Sequence, residues 1–235
     1  MTQVPRYAIY YAPAQGSDLD CFGSHLLGYD AYSGATLAFP ESMTQAVPDW
    51  LELTQDPRKY GFHATLKAPL SLAPGRAETE LLAACETFAT TSRSIPVFKP
   101  VVHLISGFIA VVPEKPPDTL LTLAADCVRA FDAFRAPLTA ADRGRRNPSR
   151  LTPRQLAHLD RWGYPYVMED FQFHMTLTGR IPADRQAGIL AILQRRFAEI
   201  DLPALSVDSI ALFRQERADT RFRIVRSYAL NGRAA

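Results

Sequence analysis

Two histidines, each followed two residues later by a threonine, stand in nearly the same context. Phe62-His63-Ala64-Thr65-Leu66 returns in the second half of the chain as Phe173-His174-Met175-Thr176-Leu177. An imidazole titrates near pH 6.5, so one histidine can be neutral and accept a proton while a second is charged and donates one. Hydrolysis of a phosphodiester needs that pairing: a base for the attacking water and an acid for the leaving oxygen. Threonine hydroxyls can donate to the non-bridging phosphate oxygens and hold the phosphorus in line. The spacing leaves open which histidine is the acid and which the base.

Residues i and i+2 share a side only on a strand, so the elements carrying both pairs must be β. Gly61 to Pro69 alternates, with Phe62, Ala64, Leu66 and Ala68 on one face and His63, Thr65 and Lys67 on the other. Phe171 to Arg180 repeats the pattern, setting His174, Thr176, Thr178 and Arg180 against Phe173, Met175 and Leu177. Lys67 and Arg180 extend the reactive faces and are candidate substrate contacts, as is Arg223. Tyr7, Tyr10 and Tyr11, in the aromatic first strand from Arg6 to Pro13, could line a site, against the plainer alternative of packing, and Tyr7 and Tyr11 are candidate substrate contacts.

Around these strands the pattern predicts helices from Ser17 to Leu27, Glu78 to about Ser92, Asp118 to Phe134, Pro153 to Trp162 and Pro182 to Ile200. Val97 to Val112 reads as two strands broken near Ser106-Gly107, and Leu205 to Gln215 with Arg221 to Leu230 as a terminal hairpin. Gly28 to Pro57 is irregular, with a turn or two of helix near Trp50, and is either a cover over a site or surface packing. Pro137 to Arg154 reads as a polar loop, and its arginines 143, 145, 146, 150 and 154 either face solvent or capture an anion. Strand, helix and paired strands on each side of the middle give an α+β class with internal pseudo-symmetry.

At 235 residues, 47% hydrophobic and 21% charged, the chain can bury its own core as one unit. A net charge of +2 is too mild for a duplex nucleic-acid binder and suits a small anionic substrate. Cys21, Cys85 and Cys127 are odd in number and far apart, which argues for a reducing compartment and against a disulfide framework or zinc site. Met1 to Pro13 has no secretory signature, and no apolar run reaches the ~18 residues of a membrane span. A cytoplasmic protein with no membrane association and no evident obligate protein partner is expected.

The paired H-x-T motifs, each followed by an apolar residue and set in an alternating run, resemble those of the 2H phosphoesterase superfamily. The resemblance implies one bilobal α+β domain over residues 1–235: two antiparallel sheets with outer helices in pseudo-two-fold arrangement around a central cleft, one motif per lobe. It implies metal-independent hydrolysis of cyclic phosphodiesters without a cofactor, with His63 and His174 as the acid/base pair and Thr65 and Thr176 as phosphate ligands. More closely, Arg6-Tyr7-Ala8-Ile9-Tyr10-Tyr11-Ala12-Pro13, Gly28-Tyr29-Asp30-Ala31, Tyr60 to Pro69 and Phe171 to Gly179 are similar to a bacterial 2H branch known from phosphonate-utilisation operons. That likeness implies a role in carbon–phosphorus compound breakdown, where a ribosyl cyclic phosphate such as the 1,2-cyclic ester is opened.

Other classes compete with this one. A metal held by His63 and His174 lacks third and fourth ligands at recognisable spacing. An enzyme of 2′,3′-cyclic RNA ends, or a non-catalytic RNA or nucleotide binder using the 143–154 segment, fits the same histidines with a different partner. Two polar sheet faces arising by coincidence explain either motif but not both.

Overall fold

Strand β1 (Arg6–Tyr11) shows how the sheet divides its two faces. Tyr7, Ile9 and Tyr11 join the main apolar core, while Ala8 and Tyr10 belong to a smaller cluster on the opposite side with Tyr29, Phe213 and Phe222. The computed structural model describes residues 4–234, the last two by backbone alone. Met1 to Gln3, part of the N-terminal stretch read for a signal, lie outside the described residues.

After β1 come α1 (Asp18–Leu27), α2 (Glu41–Ala46), α3 (Trp50–Leu53), α4 (Gln55–Arg58), β2 (Ala64–Ser71), α5 (Glu78–Thr90), β3 (Arg93–Ile95), β4 (Val97–Phe98), β5 (Pro100–Ile105) and β6 (Phe108–Pro113). Then follow α6 (Asp118–Phe131), α7 (Ala140–Gly144), α8 (Pro153–Trp162), β7 (Met175–Thr176), α9 (Ala183–Ala198), β8 (Leu205–Ser206), β9 (Ser209–Gln215), β10 (Arg223–Ala229) and β11 (Gly232–Ala234). Seven strands form one antiparallel sheet in the order β10-β9-β1-β2-β7-β6-β5. The α+β class expected from the sequence is what is seen. The two expected sheets are joined at the motifs: the halves β10-β9-β1-β2 and β7-β6-β5 meet through the ladder pair Ala64–Met175.

Helices α5, α6 and α9 back this sheet through Leu81, Cys85, Leu123, Cys127, Ile189 and Leu193, all in the main core. The repeated Phe and Leu of the motifs belong here too, with Phe62, Leu66, Phe173 and Leu177 buried in that core. The pentapeptide repeat is therefore two core anchors flanking a two-residue reactive face.

Local signals set the helix ends. Ser17 caps α1 by accepting the Asp20 N–H, and Gly28 closes it at φ 65°, where an L side chain is strained. Thr152 and Gln155 form a reciprocal capping box on α8, with Pro153 in the first turn and Gly163 at the end. The 28–57 stretch holds three short helices pinned by Trp50, whose indole N–H donates to the Leu26 carbonyl at 2.8 Å. The segment read as a polar loop contains α7, whose cap Thr139 accepts the Asp142 N–H at 3.0 Å; a five-residue helix is too short for periodicity to reveal.

Phe62 is seated on bare helix backbone at Gly23, where a Cβ would lie 2.0 Å from the Phe62 ring. Gly23→Ala must push that ring away, and with it the residue before His63. Overpacking of this kind costs about 1–3 kcal/mol, more than the up to about 1 kcal/mol that alanine gains in a helix. A lower melting temperature is expected by calorimetry.

Candidate active site

The pair Ala64–Met175 fixes how the motifs meet. Carrying the antiparallel register one residue each way sets His63 opposite Thr176 and Thr65 opposite His174, all four on the face away from the main core. The histidines are then diagonal neighbours, with a typical separation of about 7–8 Å. Two imidazoles and two hydroxyls thus alternate on one face of the sheet.

Each imidazole is oriented in the same way. His63 Nδ1 lies 2.9 Å from the Gly61 carbonyl, and His174 Nδ1 lies 2.8 Å from that of Gln172. A carbonyl only accepts, so each Nδ1 carries the proton and each Nε2 is left unprotonated, able to accept. Gly61 (φ 76°) makes the turn that aims its carbonyl back at the ring, and a Cβ there would sit 2.7 Å from that of Ala31. Thr65 Oγ1 is 3.3 Å from His63 Nε2. Tyr10 stacks on His63 with ring centroids 3.9 Å apart, and Phe108 flanks His174 at 5.7 Å.

Burial, aided by the neighbouring His174, moves His63 down to about 4, against the pull of the Gly61 carbonyl. Burial also lowers His174, offset in part by the Gln172 carbonyl. Both rings are therefore neutral in the unliganded protein at pH 7, and an anion bound between them reverses the electrostatic sign that keeps protons away.

The surrounding cleft has a volume of about 350 Å³ and is lined by His63, Thr65, Thr176, Tyr10, Tyr60 and Arg180 among others. Thr65, Phe108, Tyr164 and Arg180 continue into an adjoining hollow of about 490 Å³ that contains His174. A site of this size holds a single sugar phosphate or nucleotide. Among the described residues, no group of three or more His, Cys, Asp or Glu is placed to hold a metal ion.

The structure thus brings His63, Thr65, His174, Thr176 and Arg180 together, and sends four other candidates elsewhere. Lys67 is 2% exposed on the core face, with Nζ 2.6 Å from Asp132 Oδ1. The cause is a β-bulge: Tyr10 pairs with Thr65 but Ile9 with Lys67, so Leu66 is an extra residue that flips the alternation beyond the motif. Tyr7 donates to Glu78 at 2.7 Å, and Tyr11 packs near Phe173; both share the parity of Ile9 and so face the core. Arg223 lies along Gly34 and donates to the Ser33 carbonyl at 2.8 Å, away from the cleft.

Sequence reasoning passed over Tyr60, Tyr164 and Arg6, which line the cleft; Tyr10 and Arg146, each weighed there against a plainer role, line it too. For Arg6 the signal was available: it shares its parity with Tyr10, and Ile9 marks the other as the one that faces the main core.

Comparison with known proteins adds a lineage to this geometry. The chain is 37% identical over 221 residues to the ribose 1,5-bisphosphate phosphokinase PhnN of Janthinobacterium sp. (strain Marseille), covering 90% of this chain and 48% of the relative. It is 32% identical over 224 residues to the PhnN of Laribacter hongkongensis (strain HLHK9), covering 94% and 51%. The chain thus spans about half the length of the curated relatives it matches. Escherichia coli LigT complexed with 3′-AMP aligns over 97% of this chain and 98% of its own, at 14% identity and a TM-score of 0.45. The profile of the family described as protein of unknown function (DUF1045) matches residues 65–223, a span that opens on Thr65, takes in His174 and Thr176 and ends on β10, and the chain belongs to that family.

Proposed function

We propose that the protein is a cytoplasmic, metal-independent phosphodiesterase that opens a small cyclic phosphodiester, of the class of ribosyl 1,2-cyclic phosphate, in phosphonate breakdown. The observation that carries the reading is the interleaving of the two motifs across the Ala64–Met175 pair, with both Nδ1 atoms anchored on carbonyls and His63 Nε2 beside the Thr65 hydroxyl. The similarity to the 2H phosphoesterases supports it. The names of the two curated relatives, which specify a phosphorylated ribose, favour a sugar phosphate over an RNA end.

In this reading Thr65 and Thr176 hold the non-bridging oxygens. His63, the more strongly depressed imidazole, takes a proton from water as its oxygen attacks phosphorus. His174, protonated under the influence of the bound anion, gives its proton to the sugar oxygen as the phosphorus–oxygen bond breaks. One water is consumed, and the product is a phosphomonoester with a new hydroxyl. Each role is typically worth 10²–10⁴-fold.

The test is a panel of ribosyl 1,2-cyclic phosphate, 2′,3′-cyclic nucleotides and cyclic-ended RNA in excess chelator, with the product phosphate located by phosphorus NMR. Hydrolysis of the sugar ester is expected, and hydrolysis of none defeats the proposal. The pH profile of kcat/KM provides a further check. A base must be deprotonated, so the rate rises as pH climbs through the His63 value of about 4. An acid must be protonated, so the rate falls above the His174 value, which burial holds below 6.5. The bell is expected to peak on the acid side of pH 6.5.

A further inference from the structure

Three arginines line the cleft, at two different ends of it. Arg180 stands with Phe108 and Thr65 where the cleft runs on toward His174. Arg6 and Arg146 line the same cleft but continue, with Tyr60, into a hollow that contains none of the motif residues.

Of the arginines in the 143–154 segment, Arg146 and Arg150 have no carboxylate partner among the described residues, and of these two Arg146 lines the cleft. Arg143 is paired with Asp160, Arg145 with Asp142 and Arg154 with Asp170. Among the described residues Arg146 has no carboxylate partner; its guanidinium lies over the Tyr164 ring, 4.9 Å from the centroid. Arg6 gives Nε and Nη2 to the neutral Gln215 side chain, which is itself fixed by the Thr220 carbonyl, and Nη1 is left over. Tyr10, only 1% exposed, lines the same cleft, and its hydroxyl has no hydrogen-bond partner among the described residues and feels the charges of both Arg6 and Arg146. Asp56, the one carboxylate among the described residues that line this cleft, is turned onto Lys59.

Two guanidinium groups without a carboxylate partner and a hydroxyl without a protein partner, all lining one cleft, make a site for a compact anion. Its distance from the motifs is set by β1, which carries Tyr10 opposite Thr65 and Arg6 four residues back, about 13 Å along the strand. Both ends border one cleft, which Arg6 lines together with His63 and Thr65.

We propose that Arg6, Arg146 and the Tyr10 hydroxyl form a second phosphate subsite, so that the substrate is a cyclic phosphodiester bearing a terminal phosphomonoester on the far side of its sugar. This rests on the phosphodiesterase reading for its chemistry but not for its binding. It assigns the 143–154 segment a specificity role, with Arg146 as the one member that faces the ligand.

The probes are ribose 1,2-cyclic phosphate and its 5-phosphate, and uridine 2′,3′-cyclic phosphate with and without a 5′-phosphate. The wild-type chain is expected to prefer the phosphorylated member of one pair in kcat/KM, the pair identifying a free sugar or a nucleotide as the source. A charge-assisted contact contributes about 10- to 100-fold, and Arg6→Gln or Arg146→Gln is expected to shrink the preference ratio by that factor. Equal rates within both pairs, or variants that slow both members equally, overturn the subsite. If no cyclic ester is hydrolysed, the phosphodiesterase reading fails, and calorimetric binding decides the subsite alone. Tighter binding of ribose 5-phosphate than of ribose, lost in Arg146→Gln, sustains it; equal binding refutes it.

Discussion

His63→Ala and His174→Ala are each expected to hydrolyse the cyclic ester about 10²- to 10⁴-fold more slowly than the wild-type chain. The double variant should lose little beyond the slower single, because acid and base act on one transition state and their effects do not add. Neither ring holds the fold together: each Nδ1 bonds a carbonyl two residues back in its own chain, and the anchoring is done by Phe62, Leu66, Phe173 and Leu177. Unchanged melting temperatures should therefore accompany the kinetic loss. The two roles separate with a leaving group that needs no proton. A p-nitrophenyl phosphodiester should largely rescue His174→Ala and leave His63→Ala impaired, since water still needs its base. Rescue of the opposite variant would exchange the two assignments, and wild-type turnover in either alanine variant would sink the two-histidine mechanism.

The motif residues were legible because their types are scarce and their context repeats. What a strand alternation cannot show is where it breaks. At Lys67 the pattern of small and polar residues runs on unbroken, but Leu66 bulges out of the ladder with β1 and the next residue turns to the core. Nothing in Thr65-Leu66-Lys67-Ala68 advertises that bulge; it is a property of pairing with β1, which lies some sixty residues earlier in the chain. The second motif strand shows the converse. Phe171 to Arg180 alternates like a full strand, yet only Met175–Thr176 is laddered, because Gln172 spends its carbonyl on His174 and Gly179 gives its N–H to Leu53. Thr178, placed on the reactive face by parity, is fully buried and accepts the Ile109 N–H at 3.0 Å, tying the strand end to β6.

Charge was the hardest feature to read. A run of arginines between Arg143 and Arg154 looks uniform in sequence, and only the placement of Asp142, Asp160 and Asp170, together with the course of the cleft, singles out Arg146 from its neighbours. Helix ends posed no such difficulty, because Ser17, Gly28, Thr152 and Gly163 act on groups within a turn of themselves. Short-range chemistry was visible in the chain, whereas pairings across the sheet and between charges had to be seen in three dimensions.

Asp132→Ala is expected to destabilise the fold by about 3–5 kcal/mol, the usual cost of stranding one member of a buried ion pair. Lys67 would keep only the Val128 and Trp162 carbonyls, at 3.4 and 3.5 Å, around an ammonium that water does not reach. For a chain of this size that is a fall in melting temperature of roughly 6–20 °C. Lys67→Met should behave differently, because it removes the charge and keeps the volume. Asp132 would still be held by Arg135 at 2.9 Å and is partly open to water, so a near-neutral effect is expected. The pKa directions agree with this asymmetry. Burial lowers Lys67 in spite of Asp132, so the pair does not fully offset desolvation of the ammonium; Asp132 is raised by its own burial but lowered further by Arg135 and Lys67 together. The unfolded chain therefore binds the Lys67 proton more tightly than the folded one, and wild-type stability should rise as pH climbs from the depressed value toward about 10.5, a rise absent in Lys67→Met. Since Lys67 lies on the core face, Lys67→Met should also keep its turnover, and a collapse of kcat with the fold intact would return this lysine to the phosphate.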